Sequence, residues 1–259
     1  MEKTLYLSEN EKLWIKCDGP SLWIQQPRRA GQRVPARLVR RAVVVGNVTL
    51  DTGSLTLLAQ RGVPIALLDR RGEPLAMVLG IQDGVQQRRT RQAALSEDAE
   101  KRERLTAWLD AWERGRQLRL IRTLDPSRAR RWRAAGYRRA DYDDWVLAQA
   151  RMRGCHPRSR TFLTGAAHEL IAAEITAQGW DPHAGVRERG RPLGFVKDCY
   201  SALQSDIDRI WLTLPDRSTE GWLRQKTRFL AASFESARAH LESLLRLMLE
   251  QYARILWEI

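Results

Sequence analysis

The chain has 259 residues and carries 44 Lys and Arg against 31 Asp and Glu, a formal net charge of +13. With 43% hydrophobic and 29% charged residues, the composition excludes a disordered or collagen-like chain. No apolar run approaches the ~18 residues of a membrane span and no signal-peptide core follows the start, so a soluble, cytoplasmic protein with no membrane partner is expected. Cys17, Cys155 and Cys199 form no C-x-x-C pair and read as reduced thiols.

In chain order, short runs of β-branched, aromatic and aliphatic residues at 5–7, 13–15, 22–24 and 38–48 predict strands separated by turn formers. One or two helical turns fit 53–60, a strand fits 65–68, residues 70–74 read as a turn, and 75–79 as a returning strand. Residues 1–82 therefore predict a small β-domain, a sandwich or barrel, and the polar stretch 83–91 predicts a linker. From residue 92 the period changes. Leu105, Trp108, Leu109 and Trp112 share one helix face, as do Leu163, Ala167, Leu170 and Ile171. Leu230, Phe234, Ala237, Leu241, Leu244, Met248, Tyr252 and Ile255 form one apolar stripe on a long C-terminal helix, suited to core packing or to a partner coiled coil. The expected fold is α+β: a β-domain followed by an all-helical domain over 92–259.

Only six of the basic residues are lysines, which leaves 38 arginines. Arginine grips phosphate with two parallel donors and stacks on bases, so nucleic acid is the expected partner. An arginine-rich codon bias is the plain alternative. The excess is local: residues 114–160 hold 14 arginines against Asp125, Asp141, Asp143 and Asp144. There Trp132, Tyr137, Tyr142 and Trp145 interleave with Arg130, Arg131, Arg133, Arg138 and Arg139, a mixture expected where a surface holds phosphates and stacks on exposed bases. A solvated helix face over buried aromatics would give the same pattern.

Residues 179–198 read GWDPHAGVRERGRPLGFVKD, and Gly179, Pro182, Gly185, Pro192, Leu193, Phe195, Val196 and Asp198 fall at the spacings of a family pattern. The segment resembles the C-terminal core of the CRISPR adaptation integrase family, metal-dependent nucleases and integrases that insert spacers into CRISPR arrays. Residues 34–80 and the helix around 105–124 are similar to the same family. The resemblance implies a homodimer formed through the β-domains, joining a small ferredoxin-like adaptation subunit and holding DNA, with Mg or Mn at a site of oxygen and histidine ligands. The catalytic positions depart from the family pattern. Its histidine falls on Glu188, its first acid on Asp198, its second acid on Ser201, and the Glu of an E-G-x-x-A segment on Ala135. Asp198 and Glu188 are thus the candidate catalytic and metal-binding residues. Arg130, Arg131, Arg133, Arg138, Arg139, Arg187 and Arg189 are the candidate DNA contacts.

A divalent ion that stabilises phosphodiester attack needs clustered oxygen ligands. One retained acid points to a homologue that holds DNA while its own chemistry is lost or weakened. The alternative is an active enzyme that rebuilds the site from Glu188, Asp198 and one of Asp141, Asp143 or Asp144. His183 is a minor candidate ligand, His156 a phosphate neighbour, and His168 and His240 have no partner at ligand spacing. No P-loop, H-E-x-x-H or G-x-S-x-G motif occurs.

Overall fold

The computed structural model of the protein describes residues 3–9, 12–80, 86–95, 98–214 and 222–258. The N-terminal part is built from two four-stranded sheets. The first has the order β1 (Lys3–Ser8), β5 (Val39–Val45), β7 (Ile65–Leu68), β8 (Pro74–Val78), the second β4 (Gln32–Pro35), β3 (Ser21–Gln25), β2 (Trp14–Asp18), β6 (Thr49–Leu50). In the first sheet β1 and β7 run parallel to β5, and only β8 is antiparallel.

The sequence VRRAVVV of β5 explains its central place. Ala42 and Val44 point into the core between the sheets with Leu7, Ile15, Leu22 and Ile65, while Val43 and Val45 point the other way. There they meet Ala66, Leu68, Phe162, Leu230 and Ala231, so the strand is covered on both faces and needs β-branched residues on both. The long strand expected over 38–48 is therefore interrupted. Residues Ala36–Leu38 form one 3-10 turn, and Gly46 at φ 76° breaks the run so that β6 joins the other sheet. A helix, α1 (Thr52–Gln60), is capped by Asp51, whose carboxylate accepts from Ser54 N at 2.7 Å.

The helical part comprises α2 (Gln86–Ala94), α3 (Ala99–Leu124), α4 (Pro126–Ala135), α5 (Arg139–Met152), α6 (Pro157–Ala177), α7 (Gly194–Thr213) and α8 (Trp222–Glu258). Residues 83–85 of the expected linker lie outside the described residues, and from Gln86 the segment is helical rather than loop. Helix α7 is the axis of this part. Fifteen of its twenty residues are buried, against α3, α6 and α8. The stripe on α8 is core: Leu230, Phe234, Leu241, Met248 and Tyr252 are all buried.

Two contacts fix the sheets to the helices. The β7–β8 turn presses on α6, where a Cβ on Gly165 would lie 2.1 Å from the Gly72 carbonyl oxygen. On the same side Arg41 of β5, buried to 2% exposure, pairs with Glu235 of α8 at 2.8 Å and with Glu169 of α6 at 3.4 Å.

Candidate nucleic-acid interface and candidate metal centre

The segment that carries the family resemblance is the loop between α6 and α7 with the first turns of α7. Two of its glycines, Gly185 and Gly194, are there for close approach. A Cβ on Gly185 would sit 2.5 Å from the Gly194 carbonyl carbon, and one on Gly194 2.3 Å from the Glu188 oxygen. Pro182 turns the chain so that its carbonyl accepts from Phe195 N at 3.1 Å, and Leu193 enters α7 in the left-handed conformation at φ 56°. His183 belongs to the same scaffold, its Nδ1 accepting from Leu193 N at 3.1 Å.

Asp198 lies in the first turns of α7 and is 1% exposed. Its Oδ2 accepts from Val186 N at 2.6 Å and Arg187 N at 3.2 Å, and its Oδ1 from Glu188 N at 3.3 Å. Burial raises its pKa above the usual aspartate range, against the lowering effect of these N–H donors and of Arg187. The Arg187 side chain, expected on a DNA-facing surface, turns inward instead. Its Nη1 lies 2.9 Å from both Asp110 Oδ1 and Glu113 Oε2 on α3, and its Nε 3.7 Å from Asp198 Oδ1. The reason is chemical: three acids on two packed helices face one loop, and a guanidinium is the nearest cation that can serve all of them.

The other three positions make contacts of their own. The Glu188 carboxylate is 3.2 Å from Arg191 on its own loop, the Ser201 hydroxyl accepts from Arg139 at 3.4 Å, and Ala135 ends α4 exposed to solvent. Asp141 bonds to Arg138 N at 2.7 Å as part of the cap of α5, and Asp143 accepts from Gln204 Nε2 at 3.2 Å. Among the described residues no group of three or more His, Cys, Asp or Glu side chains is arranged to hold a metal ion. The donor set around Asp198 does not fit a divalent cation, because its oxygens already face backbone N–H groups and a positive side chain.

Sequence reading missed the acids that α7 buries besides Asp198. Asp206 forms a two-pronged pair with Arg116 of α3, Nε to Oδ2 at 3.0 Å. Asp208 receives Arg160 of α6 at 2.8 and 3.1 Å and the Tyr142 hydroxyl at 3.0 Å, while burial pushes its pKa up. The available signal was two acids, 206 and 208, amid the apolar residues of a helix. Asp125 was missed as well. It stands four residues before Ala129, the acid-to-alanine spacing of E-G-x-x-A, and its carboxylate caps α4 by accepting from Arg128 N at 3.0 Å and the Ser127 hydroxyl at 2.8 Å.

The arginines of α4 behave differently. Arg130, Arg131 and Arg133 are exposed, as is Arg189 on the α6–α7 loop. Arg138 is exposed but engaged with Asp141, and Arg139 reaches Gln204 Oε1 at 3.0 Å and Glu113 at 3.4 Å. The four aromatics divide. Trp132 and Tyr137 are half-buried and stacked at 4.7 Å, whereas Tyr142 and Trp145 are core residues. Of the histidines, His156 caps α6 through Nδ1, His168 lies edge-on to Tyr200 at 4.5 Å, and His240 is 3.8 Å from Asp206. Among the described residues no helix is long and apolar enough to cross a membrane.

The fold has known counterparts. Superposition on a CAS1 protein from Thermotoga maritima gives a TM-score of 0.78 at 14% identity over 98% of this chain and 97% of that one. A casposase bound to integration product gives 0.71 at 14% identity, covering 99% and 90%. A Cas6-RT-Cas1–Cas2 complex gives 0.66 at 11% identity, covering 96% of this chain and 35% of that one. No curated protein matches the chain by sequence. The sequence family CRISPR associated protein Cas1 matches residues 5–135, from β1 through the whole of α4. With half the chain matched in sequence and the two-sheet and helical architecture matched throughout, this protein belongs to the Cas1 family of CRISPR integrases.

Proposed function

We propose that the protein is a DNA-holding member of the Cas1 family whose own metal-dependent nuclease and integrase chemistry is lost or severely weakened, so that it serves as a structural subunit of spacer acquisition. The observation that carries this reading is the state of Asp198. The acid that matches the family pattern is buried, accepts three backbone N–H groups and faces Arg187, while the remaining family positions supply an ion-paired Glu188, a serine and, in place of the upstream Glu, either the alanine at 135 or an Asp125 already occupied as the cap of α4. Such a set offers no cluster of hard oxygen ligands to neutralise an in-line phosphoryl transition state. Of the three acids from which a rebuilt site would draw one, 141 and 143 are turned to Arg138 and Gln204, and Asp144 is exposed to solvent.

DNA holding is supported by the exposed Arg130, Arg131, Arg133 and Arg189, whose charge has no local acidic counterweight of equal size. The similarity to a casposase bound to integration product and to a complex containing Cas1 and Cas2 supports DNA and a small Cas2-type subunit as partners. A homodimer joined through the β-domains, as the family resemblance implies, completes the proposed assembly.

The test is a strand-transfer and nicking assay on branched DNA with Mn²⁺, run beside a binding assay on the same substrate. DNA should be bound, and the products should stay at the background of a no-protein control. Mn²⁺-dependent nicking or joining that Asp198→Ala abolishes would overturn the proposal.

A further inference from the structure

The acids that face Asp198 carry a second consequence. Asp110 and Glu113 lie one helical turn apart on α3, and Glu113 is 5% exposed. With Asp198 they bring three carboxylates to one guanidinium; Asp110 is partly exposed, but Glu113 and Asp198 are buried, and a buried pair of acids needs positive charge in order to fold. Arg187 supplies it with unusual completeness. Nη1 reaches Asp110 and Glu113 at 2.9 Å each, Nε faces Asp198 Oδ1 at 3.7 Å, and Nη2 bonds to the Asp198 carbonyl at 3.4 Å. Its side chain is 17% exposed. The second Glu113 oxygen is held by Gln117 Nε2 at 3.0 Å, with Arg139 at 3.4 Å.

We propose that Arg187 is a tethered internal cation: its guanidinium holds together the Asp110, Glu113 and Asp198 carboxylates, locking the α6–α7 loop onto α3 and α7 and making the assembly of this region independent of divalent ions. The inference rests on the reading of the metal centre above and assigns its replacement. It also explains why Arg187 faces inward while Arg189, two residues on, is exposed. Arg187 here is a positioning residue, since it acts on the loop and not on DNA.

The experiment compares thermal unfolding and Mn²⁺ binding, the latter by the loss of the free-ion EPR signal, in wild type, Arg187→Met, Arg187→Lys and the triple variant Arg187→Met/Asp110→Asn/Glu113→Gln. Wild type should melt at the same temperature with Mn²⁺ or with EDTA. Arg187→Met should melt roughly 5–15 °C lower, as expected when buried charges lose their partner. It should recover part of that loss with Mn²⁺ and bind the ion, because Asp110 Oδ1 and Glu113 Oε2, one turn apart on α3, are then hard oxygen ligands freed of the guanidinium, while Asp198 stays on its backbone N–H groups. The triple variant should lose the Mn²⁺ response, which a purely structural role of the methylene chain would not predict. Arg187→Lys should fall between wild type and Arg187→Met.

Mn²⁺ stabilisation of wild type, or an Arg187→Met protein with no Mn²⁺ response, overturns the tethered cation. If Arg187→Met is too unstable to purify, Asp110→Asn/Glu113→Gln in the presence of Arg187 decides the matter: the pairing predicts a lower melting temperature, and an unchanged one overturns it. Neither result depends on strand transfer, so failure of this inference is distinguishable from failure of the proposed function.

Discussion

Helix α7 and helix α4 both meet arginine, and they use it in opposite ways. Along α7 the buried acids Asp198, Asp206 and Asp208 draw Arg187, Arg116 and Arg160 inward from the α6–α7 loop, α3 and α6. On α4 the arginines at 130, 131 and 133 project outward, and the two acids that flank this helix, Asp125 and Asp141, are occupied as helix caps. A guanidinium beside a buried carboxylate is a folding element, since removing either partner strands a charge in low dielectric. One on a solvated helix face contributes little to stability and remains available to a phosphate. Net charge does not separate the two, and only the location of the acids does.

The comparison breaks most easily at Arg116. Arg116→Ala leaves Asp206 buried without its two-pronged partner and should destabilise the protein by about 3–5 kcal/mol in urea unfolding, with the m-value unchanged. A loss under 1 kcal/mol would place Asp206 outside the folding machinery. The next largest effect belongs to the outward set. Replacing Arg130, Arg131 and Arg133 together by alanine should leave stability within about 0.5 kcal/mol per site and lower DNA affinity. The slope of log affinity against log salt should fall by about one unit for each phosphate contact removed. Fluorescence anisotropy across a salt series reads this directly, and an unchanged slope removes α4 from the DNA-holding face.

The same contrast explains what could be read from sequence. The β-to-α change of period, most strands of the N-terminal part and the α8 stripe were legible because apolar spacing records burial directly, as the buried Phe234, Leu241 and Met248 show, whereas β4, with the sequence QRVP, carries no such spacing. The matched segment 179–198 was legible in part because the backbone contact at Gly185, one of its matched positions, tolerates no side chain. The fate of individual arginines was not. Arg187 and Arg189 are two residues apart in one loop with identical side chains, and what divides them is a pair of acids on α3, more than seventy residues upstream. Tyr142 and Trp145 failed as base-stacking candidates for the same reason. Their partners, Asp208 and the α6–α7 core, are distant in sequence.

A third buried charge centre, where the strand region meets the helical region, gives the smallest and sharpest test. Glu169 on α6 is 1% exposed, and burial raises its pKa to about 7, more than Arg41 lowers it; Glu235 adds to the rise. Arg41 wins less than its proximity would imply because it is shared, at 2.8 Å with Glu235 and 3.4 Å with Glu169; Arg238 and Glu242 of α8 face the same acid. Its neighbour His168 moves the opposite way, lowered to about 4 by burial and by Lys197. Between the ordinary glutamate range and pH 7 the folded chain holds a proton on Glu169 that the unfolded chain lacks, so this group makes stability fall as pH rises. Between pH 4 and the ordinary histidine range the unfolded chain holds a proton on His168 that the folded chain lacks, so stability rises with pH. Each contributes a slope of up to about 1.4 kcal/mol per pH unit, and between about pH 4.5 and 6.5 the two cancel. Glu169→Gln removes one side of the balance. Its stability relative to wild type should climb by up to about 1.4 kcal/mol per unit through that window and level off above pH 7, as read from urea unfolding of both proteins at matched pH. A flat difference would mean that Glu169 is ionised throughout and that Arg41 alone overcomes its burial, which would place this junction with the inward arginines that pair with the acids of α7.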